Sequence, residues 1–420
     1  VAEVGVLIFM KVLMYGWEFP PNFTGGLGIA CYGIVHGLLA NHVEVALVLP
    51  KDPARPAYDS DVFVLEHNLK LVSIDSSLLS VTAINSLLQP YMTTKQYEEQ
   101  LAMALACLDE PLDYGDHLLA EVKRYAAAAG KQAVKIEHDV IHAHDWLTIL
   151  AGIKARQISG KPLIFQIHAL ETDRSGEHLN QAIYDIERYG LHVADHVISV
   201  SHYTKNKIIE RYGIAADKIT VVHNGLFRQK RCKVERRFSV DHQLKTVLFL
   251  GRLTFQKGVF YFIEAARQIL AQRQDIQFVI AGEGDLLVSA IERVAALRLG
   301  THIHFTHFLD RAAVSNIYNL SDAYVMPSVS EPFGIACLEA LEHHVPVIIS
   351  KQSGVAEVLD CIITADFWDT DVLAQQILNV VDYPQLTNTL LAGIDEKLDQ
   401  LTWNNLTKQM IDVYEGVNIA

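Results

Sequence analysis

The sequence predicts an α/β fold of two doubly wound, Rossmann-like parallel-sheet domains facing each other across a cleft. Three observations carry that expectation. Apolar strand-like runs alternate with amphipathic helical runs almost throughout the 420 residues, the pattern of a parallel sheet covered on both faces. The alternation breaks once, at residues 227–241 (FRQKRCKVERRFSVD), and then restarts. The composition, 50% hydrophobic and 20% charged, suits a soluble globular chain of two or three domains.

Taken in order, residues 11–15, 43–49, 140–143, 163–167, 196–200 and 219–222 read as strands. Residues 27–40, 147–157, 180–191 and 203–212 read as helices. Residues 75–135 are less regular and read as an inserted helical layer. The basic stretch at 227–241 has no apolar period, and a solvated interdomain linker is favoured over an anion-binding patch. Strand-like runs return at 246–250, 277–281, 302–306, 322–326, 345–350 and 361–364. Trp403, Leu406, Met410, Val413 and Tyr414 fall at helical spacing within 403–417, a helix expected to pack across the junction. The expected division is therefore 1–227 and 228–402, with 403–420 returning to the first domain.

A net charge of −14 argues against a nucleic-acid surface, so an anionic ligand must meet a local cluster of Arg and Lys. Cys31, Cys107, Cys232, Cys337 and Cys361 are odd in number, widely spaced and without a CxxC pair, as expected of reduced thiols in a cytoplasmic protein. No apolar run is long enough to cross a bilayer. The start, VAEVGVLIFMKVLMYGWEF, lacks a basic n-region and a small-residue cleavage site, so it reads as a buried strand, to which residues before Met10 add little.

Residues 327–341, PSVSEPFGIACLEAL, follow an apolar strand with a tight turn and a helix start. Free amides at Gly334 and Ile335 are then placed to hold an anion. Glu331 precedes the helix and Glu339 lies about two turns along it. An anion on the amides with acids gripping neutral hydroxyls on either side fits a sugar nucleotide; a capping carboxylate plus a surface glutamate is the plainer reading of the same residues. Residues 251–258, GRLTFQKG, carry Arg252 and Lys257 in another strand-to-helix loop, a fork and a point charge suited to a diphosphate. At the first strand's end, EFPPNFTGGLG places Gly25 and Gly26 where backbone can approach a ligand. The segments HAHDW (142–146) and QIHALE (166–171) both close strands and aim Asp145 and His168 at the crevice, and Asn224 in HNG (223–225) suits a sugar hydroxyl. Asp369 in Asp369-Thr370-Asp371 reads as a helix cap and Asp59-Ser60-Asp61 as a polar loop, while His302, His304 and His307 lack a further ligand nearby, so no metal site is expected.

In this order the motifs SEPFGIACLEAL, GRLTFQKG, TGGLG and HNG resemble the retaining group 1 glycosyltransferases of GT-B fold, relatives of glycogen and starch synthases. The resemblance runs over essentially the whole chain from Met10. It implies an acceptor-side first domain and a nucleotide-sugar-binding second domain. Arg252 and Lys257 would neutralise the diphosphate, Glu339 hold the ribose and Glu331 the donor sugar. Gly25, Gly26, Gly334 and Ile335 would complete the cradle. His168 would sit by the transferred sugar, with Asp145 and Asn224 near it. Backbone around residues 308–309 would touch the base. Transfer would keep the anomeric configuration, from a UDP-, ADP- or GDP-sugar donor to a carbohydrate acceptor, without metal or other cofactor. Phe23 stands where bacterial glycogen synthases carry a lysine, and those enzymes usually lack the second glutamate, present here as Glu339. FQIHALETDRSG and the segment 184–213 are nonetheless similar to the glucan-forming branch, which favours a nucleotide-glucose donor. An inactive sugar-nucleotide-binding scaffold, a transferase of another hexose such as mannose, and a GT-B epimerase or phosphorylase are the alternatives.

Overall fold

A computed structural model describes residues 10–19, 25–51, 76–88, 94–107, 116–176, 178–228 and 244–419. Seven parallel strands form the first sheet: β1 (Lys11–Tyr15), β2 (Glu44–Lys51), β3 (Leu79–Asn85), β4 (Val140–His144), β5 (Leu163–Ile167), β6 (His196–Ser199) and β7 (Ile219–Val221). Their spatial order is 3-2-1-4-5-6-7. Six more form the second: β8 (Lys245–Leu250), β9 (Ile276–Ala281), β10 (Ile303–His307), β11 (Ala323–Met326), β12 (Val347–Ser350) and β13 (Ile363–Ala365), in the order 10-9-8-11-12-13. Central strands such as β4, β5 and β11 are buried at every position. That burial on both faces is why they read as unbroken apolar runs.

The strand β3 corrects the expectation of an inserted helical layer between 75 and 135. It pairs in parallel with β2, from Val45 opposite Leu79 to Lys51 opposite Asn85. Every position along it is half-buried or exposed, because an edge strand packs less completely, so its sequence shows no continuous apolar run. Helices Thr94–Cys107 and Leu118–Gly130 and the 3-10 turns Ser76–Leu78 and Lys131–Val134 accompany it among the described residues.

Alternate residues of β1 point into different cores, as the period of two requires. Leu13 and Tyr15 join one cluster with Ile141, Phe165 and the buried face of helix Asp145–Ser159. Val12 and Met14 join another that runs from helix Gly26–Ala40 through Leu226 to Tyr324, Leu338 and Trp403. The second core therefore continues from one lobe into the other. Helix Trp403–Ile419 closes it over the first lobe. A Cβ on Gly33 would lie 2.1 Å from the Trp403 ring, and Asn41 Nδ2 donates to Asn404 O at 3.0 Å. The chain crosses beside Leu226, whose N–H donates to Leu401 O at 2.9 Å. Of the basic break, Arg228 pairs with Asp395 at 3.0 Å and Asp399 at 2.8 Å, and residues 229–243 lie outside the described ones.

In each sheet the strand order reverses once, between β1 and β4 and between β8 and β11. Loops leaving the carboxyl ends of strands at such a reversal diverge and open a crevice. Gly25, Gly26 and Asp145 follow β1 and β4, and Arg252, Lys257, Glu331 and Gly334 follow β8 and β11.

Candidate active site

The two loops of the second lobe are zipped together. Val329 N–H donates to Gln256 O at 2.8 Å. Gly258 has φ 72°, and a Cβ there would stand 2.0 Å from Pro327 O, so only glycine lets the loops approach this closely. Lys257, in the 3-10 turn Phe255–Lys257, forms an ion pair through Nζ with the Glu331 carboxylate, to which Ser328 Oγ also donates at 3.3 Å. Glu331 is 6% exposed. Its own backbone is clamped to the loop after β12, donating to Gln352 O and accepting from Gly354 N, both at 2.9 Å. Arg252 lies half-buried in the same loop as Lys257.

Gly334 turns the chain at φ 111° and helix Ile335–Glu342 starts there. Among the described residues its leading amides at Gly334 and Ile335 have no backbone acceptor, the condition for binding an anion at a helix start. Along that helix Glu339 reaches a cavity of about 60 Å³ between the lobes, lined also by Ile29, Phe227, Arg311, Tyr318 and Trp403. Burial pushes the Glu339 carboxyl up to about 7, against the opposing pull of Arg311 and the Tyr318 hydroxyl.

In the first lobe Asp145 opens its helix from a left-handed backbone, φ 54°. Its Oδ1 accepts the His168 N–H at 2.7 Å and the Ala169 N–H at 3.4 Å. Burial pushes the Asp145 carboxyl up to about 7, with the Arg174 guanidinium opposing. The role in sugar binding expected of Asp145 thus comes with a structural duty, holding the loop that carries His168. The His168 imidazole is buried, and burial pulls its pKa down to about 3, so the ring is neutral. Asn224 is buried, and its amide oxygen has no partner among the described residues. Gly25 caps helix Gly26–Ala40, and the amide of Gly28 is already taken by Glu18 Oε2 at 2.9 Å. Phe23 lies outside the described residues.

The lobes meet next to Glu331. Ser330 Oγ donates to Asp173 Oδ1 at 2.7 Å, and Lys207 Nζ reaches both, at 2.6 Å and 2.8 Å. Ser201 Oγ donates to Pro332 O at 2.6 Å. Glu357 of the second lobe caps the first-lobe helix His202–Tyr212, accepting from His202 N at 2.7 Å and Tyr203 N at 2.6 Å. Its carboxyl also lies 3.2 Å from His223 Nε2. Sequence reasoning missed Asp173, Lys207, Ser330, Arg311 and Glu357, since none stands in a spacing that points to its partner. Of the motifs set aside, Asp369 caps helix Thr370–Asp382 through Val372 N at 3.1 Å. Asp59 and Asp61 lie outside the described residues. Among the described residues no three His, Cys, Asp or Glu side chains gather as a metal group.

Comparison with known proteins adds to this geometry. The family described as Glycosyl transferases group 1 matches residues 233–375, and the one described as Glycosyltransferase Family 4 matches residues 111–230. The chain is 27% identical to an uncharacterized glycosyltransferase of Methanocaldococcus jannaschii, over 97% of this chain and 98% of that protein. It is 26% identical to a glycogen synthase of Mycobacterium tuberculosis, over 96% and 94%. Sucrose-phosphate synthase from Thermosynechococcus elongatus has the same fold, with TM-score 0.75 at 19% identity over 97% of this chain and 99% of that one. So does HepE of Anabaena, solved with UDP and glucose, with TM-score 0.70 at 18% identity over 97% and 99%.

Proposed function

We propose, from the premise that this chain belongs to the group 1 glycosyltransferases of GT-B fold, that it moves a hexosyl unit, here a glucosyl unit, from a nucleoside diphosphate sugar to a carbohydrate acceptor. The acceptor proposed is an α-glucan or related oligosaccharide, and the anomeric configuration is retained. The observation that carries this reading is the joined pair of second-sheet loops, with Lys257 and Glu331 in contact beside the free helix-start amides at Gly334 and Ile335. Relatives named glycogen synthase and α-maltose-1-phosphate synthase support a glucosyl unit, and HepE with UDP and glucose supports a nucleotide-sugar donor.

In the proposed reaction the bond from the anomeric carbon to the diphosphate oxygen breaks and a bond to the acceptor hydroxyl forms on the same face. The acceptor's proton passes to the departing phosphate oxygen. Negative charge grows on the diphosphate, and Arg252, Lys257 and the amides at Gly334 and Ile335 offset it. Fixed donors aimed at developing charge are worth a few kcal/mol each, because they need no reorganisation. Lys257 then serves two masters: paired with Glu331 at rest, it bridges to the diphosphate when the donor arrives, while Glu331 takes a sugar hydroxyl. Glu339 reads the ribose from the cavity beside Arg311, and neutral His168, with Asp145 and Asn224, lines the sugar from the other lobe. Gly25 and Gly26 bring backbone up to the phosphates. In this scheme side chains meet the leaving-group charge, so no metal or cofactor is assigned. Cytoplasmic placement is part of the proposal; the buried, unpaired Cys31, Cys337 and Cys361 are compatible with it, and no described helix is long and apolar enough to cross a membrane.

The test is a panel of UDP-, ADP- and GDP-linked glucose and mannose, each with maltooligosaccharide acceptors, followed by NMR of the product anomer and repeated with EDTA. The reading expects release of one nucleoside diphosphate per α-linked product, undiminished by EDTA. Binding without transfer for every donor and acceptor would leave the scaffold alternative standing instead.

A further inference from the structure

The loop motif HAHDW contributes two histidines that the proposed chemistry does not use. His142 and His144 are two residues apart on β4 and share a face of the sheet. On β5, Gln166 stands opposite His144 in the register, and His168 follows two residues later on the same side. The three imidazoles form a column. The rings of His142 and His144 are stacked with centroids 4.3 Å apart, and those of His144 and His168 with centroids 5.2 Å apart. His144 Nδ1 lies 2.9 Å from His168 Nε2. At the far end the Tyr414 hydroxyl, from helix Trp403–Ile419, lies 2.6 Å from His142 Nδ1. His142, His144 and Tyr414 are 0% exposed.

A neutral imidazole has one N–H and one bare nitrogen, and its neighbours decide which is which. His142 Nδ1 and the Tyr414 hydroxyl share one hydrogen bond, whose direction goes with the tautomer of that ring. A single proton lies between His144 Nδ1 and His168 Nε2, so each of these rings sets the other's tautomer. His168 is therefore held twice, its amide by Asp145 and its ring by His144. Its Nδ1 is buried and has no partner among the described residues. We infer that His144, braced by His142 and Tyr414, is a positioning residue that fixes the ring plane and tautomer of His168. The last helix thereby tunes the catalytic centre through Tyr414, which is 0% exposed behind the histidines. The kinetic part of this inference rests on the proposed transferase reading; the structural part does not.

The variants His144→Phe and Tyr414→Phe keep an aromatic ring and remove only the hydrogen bond. For His144→Phe, kcat is expected to fall about 10- to 100-fold, the scale of a catalytic group misplaced by an ångström. The donor KM and the Kd for the free nucleoside diphosphate, which the other lobe binds, should stay within about twofold. Tyr414→Phe should shift kcat in the same direction by less. Histidine ¹⁵N spectra of the resting protein, with His168 assigned through His168→Gln, form the arm that needs no turnover. The wild type should show His168 as one tautomer, and His144→Phe should show averaged shifts. Wild-type kcat in His144→Phe, or an unchanged His168 spectrum in that variant, overturns the inference. A wild type inactive with every nucleotide sugar defeats the transferase reading alone, and the spectrum then decides the positioning by itself.

Discussion

At the scale of single residues, the contact between Lys257 and Glu331 makes the sharpest demands. On the proposed reading Lys257→Ala removes one of the cations offsetting leaving-group charge, so kcat should drop about 10²- to 10³-fold. It also leaves a nearly buried carboxylate unpaired. Thermal unfolding should register that loss, but below the roughly 3–5 kcal/mol of a fully buried pair, because the Lys257 side chain is 25% exposed. The double variant Lys257→Met, Glu331→Gln should regain the lost Tm without regaining activity. Recovery of both would mean the pair is structural only. Glu339 gives a pH test. Its carboxyl is raised from the ordinary range to about 7 by burial, so the folded chain holds that proton more tightly than the unfolded chain does. Its contribution to stability is greatest at acidic pH and is lost as pH rises from about 4.5 to about 7. Glu339→Gln should therefore gain Tm relative to wild type between pH 5 and pH 8, while weakening nucleotide binding. The difference curve cancels Asp145, which titrates in the same window. A flat difference would contradict the assignment. The places of Lys257, Glu331, Asp145 and His168 at the carboxyl ends of strands were legible in the sequence because each stands in a segment that follows directly on an apolar run. Ser330 and Asp173 were not, since they meet across 157 residues of chain and neither type is unusual in a loop.

At the scale of elements, the helices and central strands were readable because burial writes a period into the sequence. Strand β3 was not, because its residues are half-buried or exposed and mimic a loop. The docking of helix Trp403–Ile419 depends on small residues on its partner. A Cβ at Gly33 would meet the Trp403 ring at 2.1 Å and one at Gly37 would meet Thr407 Oγ1 at 2.6 Å. Gly33→Ala should thus cost about 1–3 kcal/mol through overpacking, despite alanine's better helix propensity. Amide exchange should report it as loss of protection in residues 403–419 ahead of the rest of the chain. Stabilisation by Gly33→Ala would show that the helix is not seated as described.

At the scale of the whole molecule, the two lobes share one apolar core and a polar seam, and both run past the candidate site. The seam joins Asp173 and Lys207 to Ser330, one residue from Glu331. On the proposed reading, closing the cleft and setting the donor-sugar acid are one event. Asp173→Asn should raise the donor KM and lower kcat together, as hinge and closure variants do, whereas a purely local role would change neither. The measurement that bears most directly on the whole account is a crystal structure with the nucleoside diphosphate selected by the donor panel. The account predicts its two phosphates within hydrogen-bonding distance of Arg252, Lys257 and the amides at Gly334 and Ile335, with ribose hydroxyls on Glu339. A nucleotide bound anywhere else, or bound there with its phosphates turned away from Lys257, would contradict it.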